Sequence, residues 1–184
     1  MTIFRGSGWS FANDPAFTHV SDDPKFWEDM NDKFYKKYAG LDKCHEKWAE
    51  ECHTTGKITG FTGRFWPAHF VEKKDWKTQT TKMVLHMPTM TNRPIQGTGN
   101  DFMAINRISL LNRMKKNKVP GMLVSTVHDS IVADTPEPDE VGKLMIEVFN
   151  DLPKNVEKLF GRKLAIPFPG EVKMGKNLLE MEKI

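Results

Sequence analysis

The stretch from Met122 to Ala133 constrains this chain more than any other. Met122-Leu123-Val124-Ser125-Thr126-Val127 and Ile131-Val132-Ala133 flank a polar His128-Asp129-Ser130. Apolar runs rich in Val and Ile on either side of a short polar turn predict a β-hairpin, and a hairpin carries its tip residues out to where a substrate can reach them. A carboxylate held there can grip a metal. Asp and Ser are also ordinary turn formers, because their side chains bond nearby backbone, so the hairpin alone assigns no chemistry.

The rest of the chain narrows the setting. Its 184 residues suffice for one domain of ordinary size, and 39% hydrophobic with 28% charged residues predicts a packed core. No apolar run approaches the roughly 18 to 20 residues that span a bilayer, and Met1 to Gly8 lacks the apolar region of a signal peptide. A cytosolic setting and no membrane partner are expected. The two cysteines, Cys44 and Cys52, suit a reducing compartment. A net charge of +3 permits an acidic partner such as nucleic acid without requiring one.

Ser21-Asp22-Asp23-Pro24 is a helix start, with capping side chains before a first-turn Pro. Phe26, Met30, Phe34 and Tyr38 then recur every four residues, a stripe on a helix expected to end at Gly40. Leu41, Cys44, Trp48 and Cys52 form a similar stripe up to Gly56. Cys44-His45 and Cys52-His53 do not read as a zinc site, since residues eight apart on a helix lie about 12 Å apart along its axis; core packing is expected for the cysteines. Ile58, Phe61, Phe65 and Trp66 around Thr62-Gly63-Arg64 predict a short hairpin with a basic turn. Val71 to Lys82 shows no period and reads as a loop.

A long helix is expected from Pro94 to about Asn117, with Ile95, Phe102 and Ile105 on one side and a polar stripe of Gln96, Asn100 and Arg107 on the other. Most helices have a solvated face, and by itself the stripe reads as one. Another helix should follow Pro138 through Val141, Leu144, Met145 and Val148, and Gly170 to Gly175 could close the sheet as a last strand.

Taken in order, Asn92-Arg93-Pro94-Ile95-Gln96-Gly97-Thr98, then Val127-His128-Asp129, then the Glu171-to-Gly175 ending resemble the C-terminal part of family A DNA polymerases, phage members in particular. The family has an Asn-x-Pro-x-Gln-Gly-Thr stretch on a palm helix and a Val-His-Asp-Glu hairpin. Phe4-Arg5-Gly6-Ser7 looks like the end of its nucleotide-binding fingers helix. The resemblance implies an α+β fold, a partial polymerase palm whose antiparallel sheet with a central hairpin is packed by helices, plus a helical part of the fingers. Residues 1–85 would be the C-terminal part of the fingers and 86–184 the C-terminal half of the palm.

The implied chemistry is template-directed nucleotidyl transfer with two Mg²⁺ ions. Asp129 matches the metal-binding carboxylate, and His128 matches the residue beside the primer 3′ end. Asn92 and Gln96 match residues that contact DNA, with Arg64 a further DNA-binding candidate and Phe4 and Arg5 the nucleotide-binding ones. Primer-template DNA and a dNTP would be the ligands.

Ser130 stands where the family usually has Glu, Pro88 where many members have an Arg contacting DNA, and Phe4 and Arg5 where Tyr and Gly are typical. The second palm Asp, the triphosphate-binding Arg and Lys and the thumb would all precede Met1. The expectation is therefore a chain inactive alone: the second piece of a split polymerase completed by another chain, or a truncated frame. Two other readings stay open. One is a non-catalytic DNA-binding remnant using Asn92, Gln96, Arg107, Arg113, Lys115 and Lys116; the other is a nuclease using Asp129 with Asp101 or Asp134.

Overall fold

The computed structural model describes residues 6–75 and 77–183. It is a mixed α and β chain that divides into two compact units, Met1–Gly97 and Thr98–Ile184. Among the described residues every sheet is a two-stranded antiparallel ribbon.

The first unit opens with α1 (Gly8–Ala12), α2 (Pro24–Lys37) and α3 (Ala39–Thr55). Asp23 caps α2 by accepting from the Lys25 amide, and Gly56 ends α3 in the left-handed conformation at φ 70°, as the sequence predicts. Gly40 does not end the first helix. It lies inside α3, because the break falls at Tyr38, whose φ of −116° and ψ of 54° interrupt the helical path. The α2 stripe is not a core face either, since no α2 residue is fully buried and Phe26, Met30 and Tyr38 remain exposed. The packed aromatic is Trp27, stacked on Phe11 at 5.4 Å and edge-on to Phe17 at 5.7 Å.

β1 (Lys57–Thr59) and β2 (Phe65–Pro67) form the predicted short hairpin. β3 (Phe70–Lys74) and β4 (Thr81–Leu85) form a second one, where the sequence suggested a loop. The pattern was unreadable because most of this ribbon is exposed, so no alternation of buried and solvated residues marks it. Cys52, Ile58 and Met90 are the unit's buried apolar cluster, flanked by Trp48, Trp66, Ala68 and Leu85.

The helix α4 (Met87–Asn117) begins seven residues before the predicted start and carries Pro94 inside it. Pro usually breaks a helix because it lacks an N–H and crowds the preceding turn. Here Met90, Thr91 and Pro94 are buried, and tertiary packing overrides the local cost. On the predicted apolar side, Phe102 is buried and Ile105 half-buried, whereas Ile95 is exposed.

The second unit joins the rest of α4 to β5 (Met122–Val127), β6 (Ser130–Asp134), α5 (Pro138–Asn150), α6 (Leu152–Phe160), β7 (Lys173–Met174) and β8 (Glu182–Lys183). Leu110 and Met114 of α4 and Val141, Leu144 and Val148 of α5 are its core, with Leu123, Ile131 and Ala133 of the β5–β6 hairpin packed on them. The tail strand β7 does not extend that hairpin; it pairs with β8. Arg113 of α4 donates to Glu147 at 2.8 Å and to Asp151 at 2.7 Å. Its hydrogen bond, reinforced by Lys154, holds the Asp151 carboxyl below the usual carboxylate range.

Two consequences can be measured. Gly97 faces the indole of Trp66, which is also held against Gly60, so a Cβ at Gly97 meets a ring that has nowhere to move. Ala normally gains about 1 kcal/mol over Gly in a helix, but overpacking costs about 1–3 kcal/mol. Gly97→Ala should therefore lower the stability of the first unit by about 1 kcal/mol in urea unfolding followed by Trp fluorescence, and a stabilised variant would refute the tight contact. Arg113→Ala should cost about 1 kcal/mol. Because the native Asp151 pKa is lowered, the pair's contribution is complete above about pH 5, falls as pH drops through the unfolded carboxyl's range near 3.9, and is gone below the native value. Urea midpoints of wild type and variant should converge in acid; a difference that grows in acid would reverse the sign.

Candidate functional site

The hairpin register pairs Val127 with Ser130, leaving His128 and Asp129 as a two-residue loop. His128 sits at φ 51°. Two-residue turns whose twist suits a hairpin place a positive φ at the first central position, and an L-residue accepts it at a cost of about 1–2 kcal/mol. The Ser130 hydroxyl donates to the Val127 carbonyl at 2.8 Å and ties the turn across its base. His128 and Asp129 are both exposed, and the Asp129 carboxylate makes no hydrogen bond or ion pair with the described residues.

A bulge between Leu123 and Ser125 shapes what stands beside the tip. It inserts an unpaired Val124 and shifts the alternation, so that Leu123 and Thr126 are the half-buried residues of β5. Leu123 joins the core. Thr126 and His128 line one wall of a groove of about 350 Å³, and Asn100, Met103, Ala104 and Arg107 of α4 form the rest. The sequence placed Asn100 and Arg107 on a polar stripe but gave them no neighbour. Thr126 was missed altogether, because the bulge hides the parity that aims it.

The remaining candidates belong to the first unit. Asn92 is half-buried on α4 with its amide oxygen enclosed, and Gln96 is exposed one turn later. Arg64 is exposed at the β1–β2 turn. The same hairpin reaches α4 twice, since Trp66 covers Gly97 and the Pro67 carbonyl accepts from Arg93 at 2.7 Å. Phe4 and Arg5 lie outside the described residues.

Each of the two other readings loses one of its named residues. Asp134 pairs with Met122 at the far end of the hairpin from Asp129, about 15 Å away at roughly 3.3 Å per strand residue, so the two cannot share an ion. Arg113, counted among the cations of a DNA-binding face, is engaged with Glu147 and Asp151. Among the described residues no three His, Cys, Asp or Glu side chains group as a metal cage, and no helix is long and apolar enough to cross a membrane.

Comparison with known proteins agrees with the sequence resemblance. Residues 23–180 match the model of DNA polymerase family A. A DNA polymerase of Bacillus phage SP01 is 25% identical over 152 residues, which cover 79% of this chain and 15% of that protein. The fold is similar to the POL domain of Pol1 from M. smegmatis in a complex with DNA primer-template and dNTP, with a TM-score of 0.68 and 14% identity, over 90% of this chain and 26% of that one.

The left-handed conformation at His128 sets an order of stabilities. Gly relieves about 1–2 kcal/mol of strain but returns part of it through the greater freedom of the unfolded chain, whereas a β-branched residue aggravates the strain. Thermal unfolding should rank His128→Gly at or above wild type and His128→Val at least about 1 kcal/mol below; a Val variant as stable as the Gly variant would exclude a strained turn.

Proposed function

The chain belongs to the family A DNA polymerases, and on that premise we propose that it supplies part of the fingers, residues 1–85, and the C-terminal half of the palm, residues 86–184, to template-directed DNA synthesis. The observation that carries this reading is the exposed Asp129 carboxylate, free of protein partners among the described residues and fixed on a two-residue turn.

Such a carboxylate fits a hard cation. Mg²⁺ prefers oxygen donors and commonly takes only one or two from protein carboxylates, so Asp129 would be one ligand and a second Asp from elsewhere in the polymerase the other. When bound, the ion pair supplies charge stabilisation for the in-line displacement of pyrophosphate by the primer 3′ oxygen. His128, next to Asp129 on the same turn, orients the primer terminus. Asn92 and Gln96 donate amide N–H groups to the purine N3 and pyrimidine O2 acceptors that every base pair presents in the minor groove, which suits an enzyme that copies any sequence. Arg64 meets the DNA backbone, and Phe4 and Arg5 contact the incoming dNTP.

The chain spans 15% of the phage polymerase and 26% of the solved chain it matches. We propose that these residues act together with the polymerase segments that lie outside the matched stretch. A polymerase that combines this chain with those segments should show Mg²⁺-dependent primer extension. Asp129→Ala should reduce it by at least about a hundredfold through the lost metal ligand, and His128→Ala by about tenfold through misplacement of the primer end. Extension unaffected by Asp129→Ala would overturn the assignment.

A further inference from the structure

We propose that the groove between α4 and the β5–β6 hairpin is a sugar-phosphate subsite, in which Arg107 grips one backbone phosphate of the primer strand close to its 3′ end and Asn100 and Thr126 hydrogen-bond beside it. This rests on the DNA-copying role proposed above, and adds residues that the matching motifs do not contain.

The comparison of two arginines on one helix motivates it. Arg113 is half-buried and bonded to Glu147 and Asp151, so its charge is neutralised within the fold. Arg107 lies six residues earlier, about 120° around the helix from Arg113, and has no ion pair or hydrogen bond with the described residues. Asn100 lies seven residues before Arg107, within about 20° of it on the helical wheel and about 10 Å along the axis. Both line the groove that Thr126 and His128 close from the hairpin side.

The chemistry of the walls fits a nucleic-acid strand better than a free anion. Met103, which is 7% exposed, and Ala104 give the groove an apolar floor, against which a deoxyribose can lie. Arg107 supplies a planar, permanently charged donor suited to phosphate oxygens, while Asn100 and Thr126 add neutral donors. Acidic side chains are absent from the groove's lining; the nearest by sequence, Asp129, follows His128 on the turn. The volume, about 350 Å³, lies at the small end of the range for ligand pockets, roughly 300–1,000 Å³, and suits one sugar-phosphate unit. His128 shares the groove, which places the bound phosphate near the primer terminus that His128 is proposed to orient.

Binding of the full chain to a fluorescein-labelled primer-template duplex, followed by anisotropy over a series of KCl concentrations, tests this. Each phosphate neutralised contributes about 0.9 to the slope of log K against log salt. Arg107→Ala should make the slope shallower by about 0.9, Arg107→Lys should keep it, and Asn100→Ala should weaken binding without changing it. Lys143→Ala removes one exposed charge already paired with Glu140 and should leave the slope alone. Single methylphosphonates placed along the last primer linkages should, at one position, abolish the difference between wild type and Arg107→Ala. If wild type binds with a steep slope and Arg107→Ala keeps it, the subsite is overturned while the polymerase reading stands. If no primer linkage accounts for the Arg107 effect, the strand assignment falls. If the wild-type chain fails to bind duplex even at the lowest salt, the DNA-contacting role itself fails, and the subsite with it.

Discussion

The packing of the β5–β6 hairpin on the cluster formed by α4 and α5 is the contact on which the second unit's candidate site depends. A two-stranded hairpin is marginal in water by itself, and this one has no third strand among the described residues. Leu123, Ile131 and Ala133 instead lean on Leu110 and Met114 of α4 and on the α5 residues Val141, Leu144 and Val148. Full burial of one aliphatic side chain is worth about 1.5–3 kcal/mol. That is comparable with or larger than the strain at His128, about 1–2 kcal/mol. Leu123 and Ile131 are half-buried and so gain part of that each; their packing at the base of the hairpin is of the same order as the strain at its tip and can offset it.

The same packing explains how the groove arises. Leu110 and Met114 belong to the α4 face that meets the hairpin core, whereas Arg107 and Asn100 lie further toward the helix N-terminus, where the hairpin wall is Thr126 and His128. Without the bulge, residues 123, 125 and 127 would share one face. The extra residue Val124 changes that, and lets Leu123 face the core while Thr126 and His128 face the groove. One insertion thus joins an apolar contact to a polar one along a single strand.

Much of this was legible in the sequence, for physical reasons that differ by element. The α2 start, the α3 stop at Gly56, the α5 stripe and the two-residue turn at His128 follow from local chemistry: a cap, a left-handed glycine, a 3.6-residue period, a polar tip between apolar runs. The misreadings fall where tertiary packing or solvent exposure overrides such signals. Pro94 reads as a helix start, yet its turn is buried and α4 continues through it. The Phe26–Tyr38 spacing reads as one apolar stripe of an amphipathic helix, yet Phe26, Met30 and Tyr38 stay exposed while Trp27, on a different face, stacks on Phe11. The β3–β4 ribbon is too exposed to leave an alternation. Helix α6 was not anticipated either; it follows α5 with only Asp151 between them, so the two read as one stretch. The candidate site was legible as motif residues, whereas its groove depends on a strand bulge and on which face of α4 meets it.

Ser130, where the sequence resemblance leads one to expect Glu, ties together the turn that carries Asp129. A Glu at this position would bring a second carboxylate close to Asp129, and like charges that close raise the cost of ionising both. Serine removes that repulsion, and its hydroxyl instead donates across the turn to Val127, a bond an ionised Glu cannot make because it only accepts. The substitution therefore exchanges local negative charge for a tie that closes the two-residue loop. On the reading proposed above, a cation at the tip would be held by Asp129 and by whatever second acid the rest of the polymerase presents. On that reading the Ser130 tie matters, because a single ligand contributes to a shared metal site only if its position is set before the partner arrives.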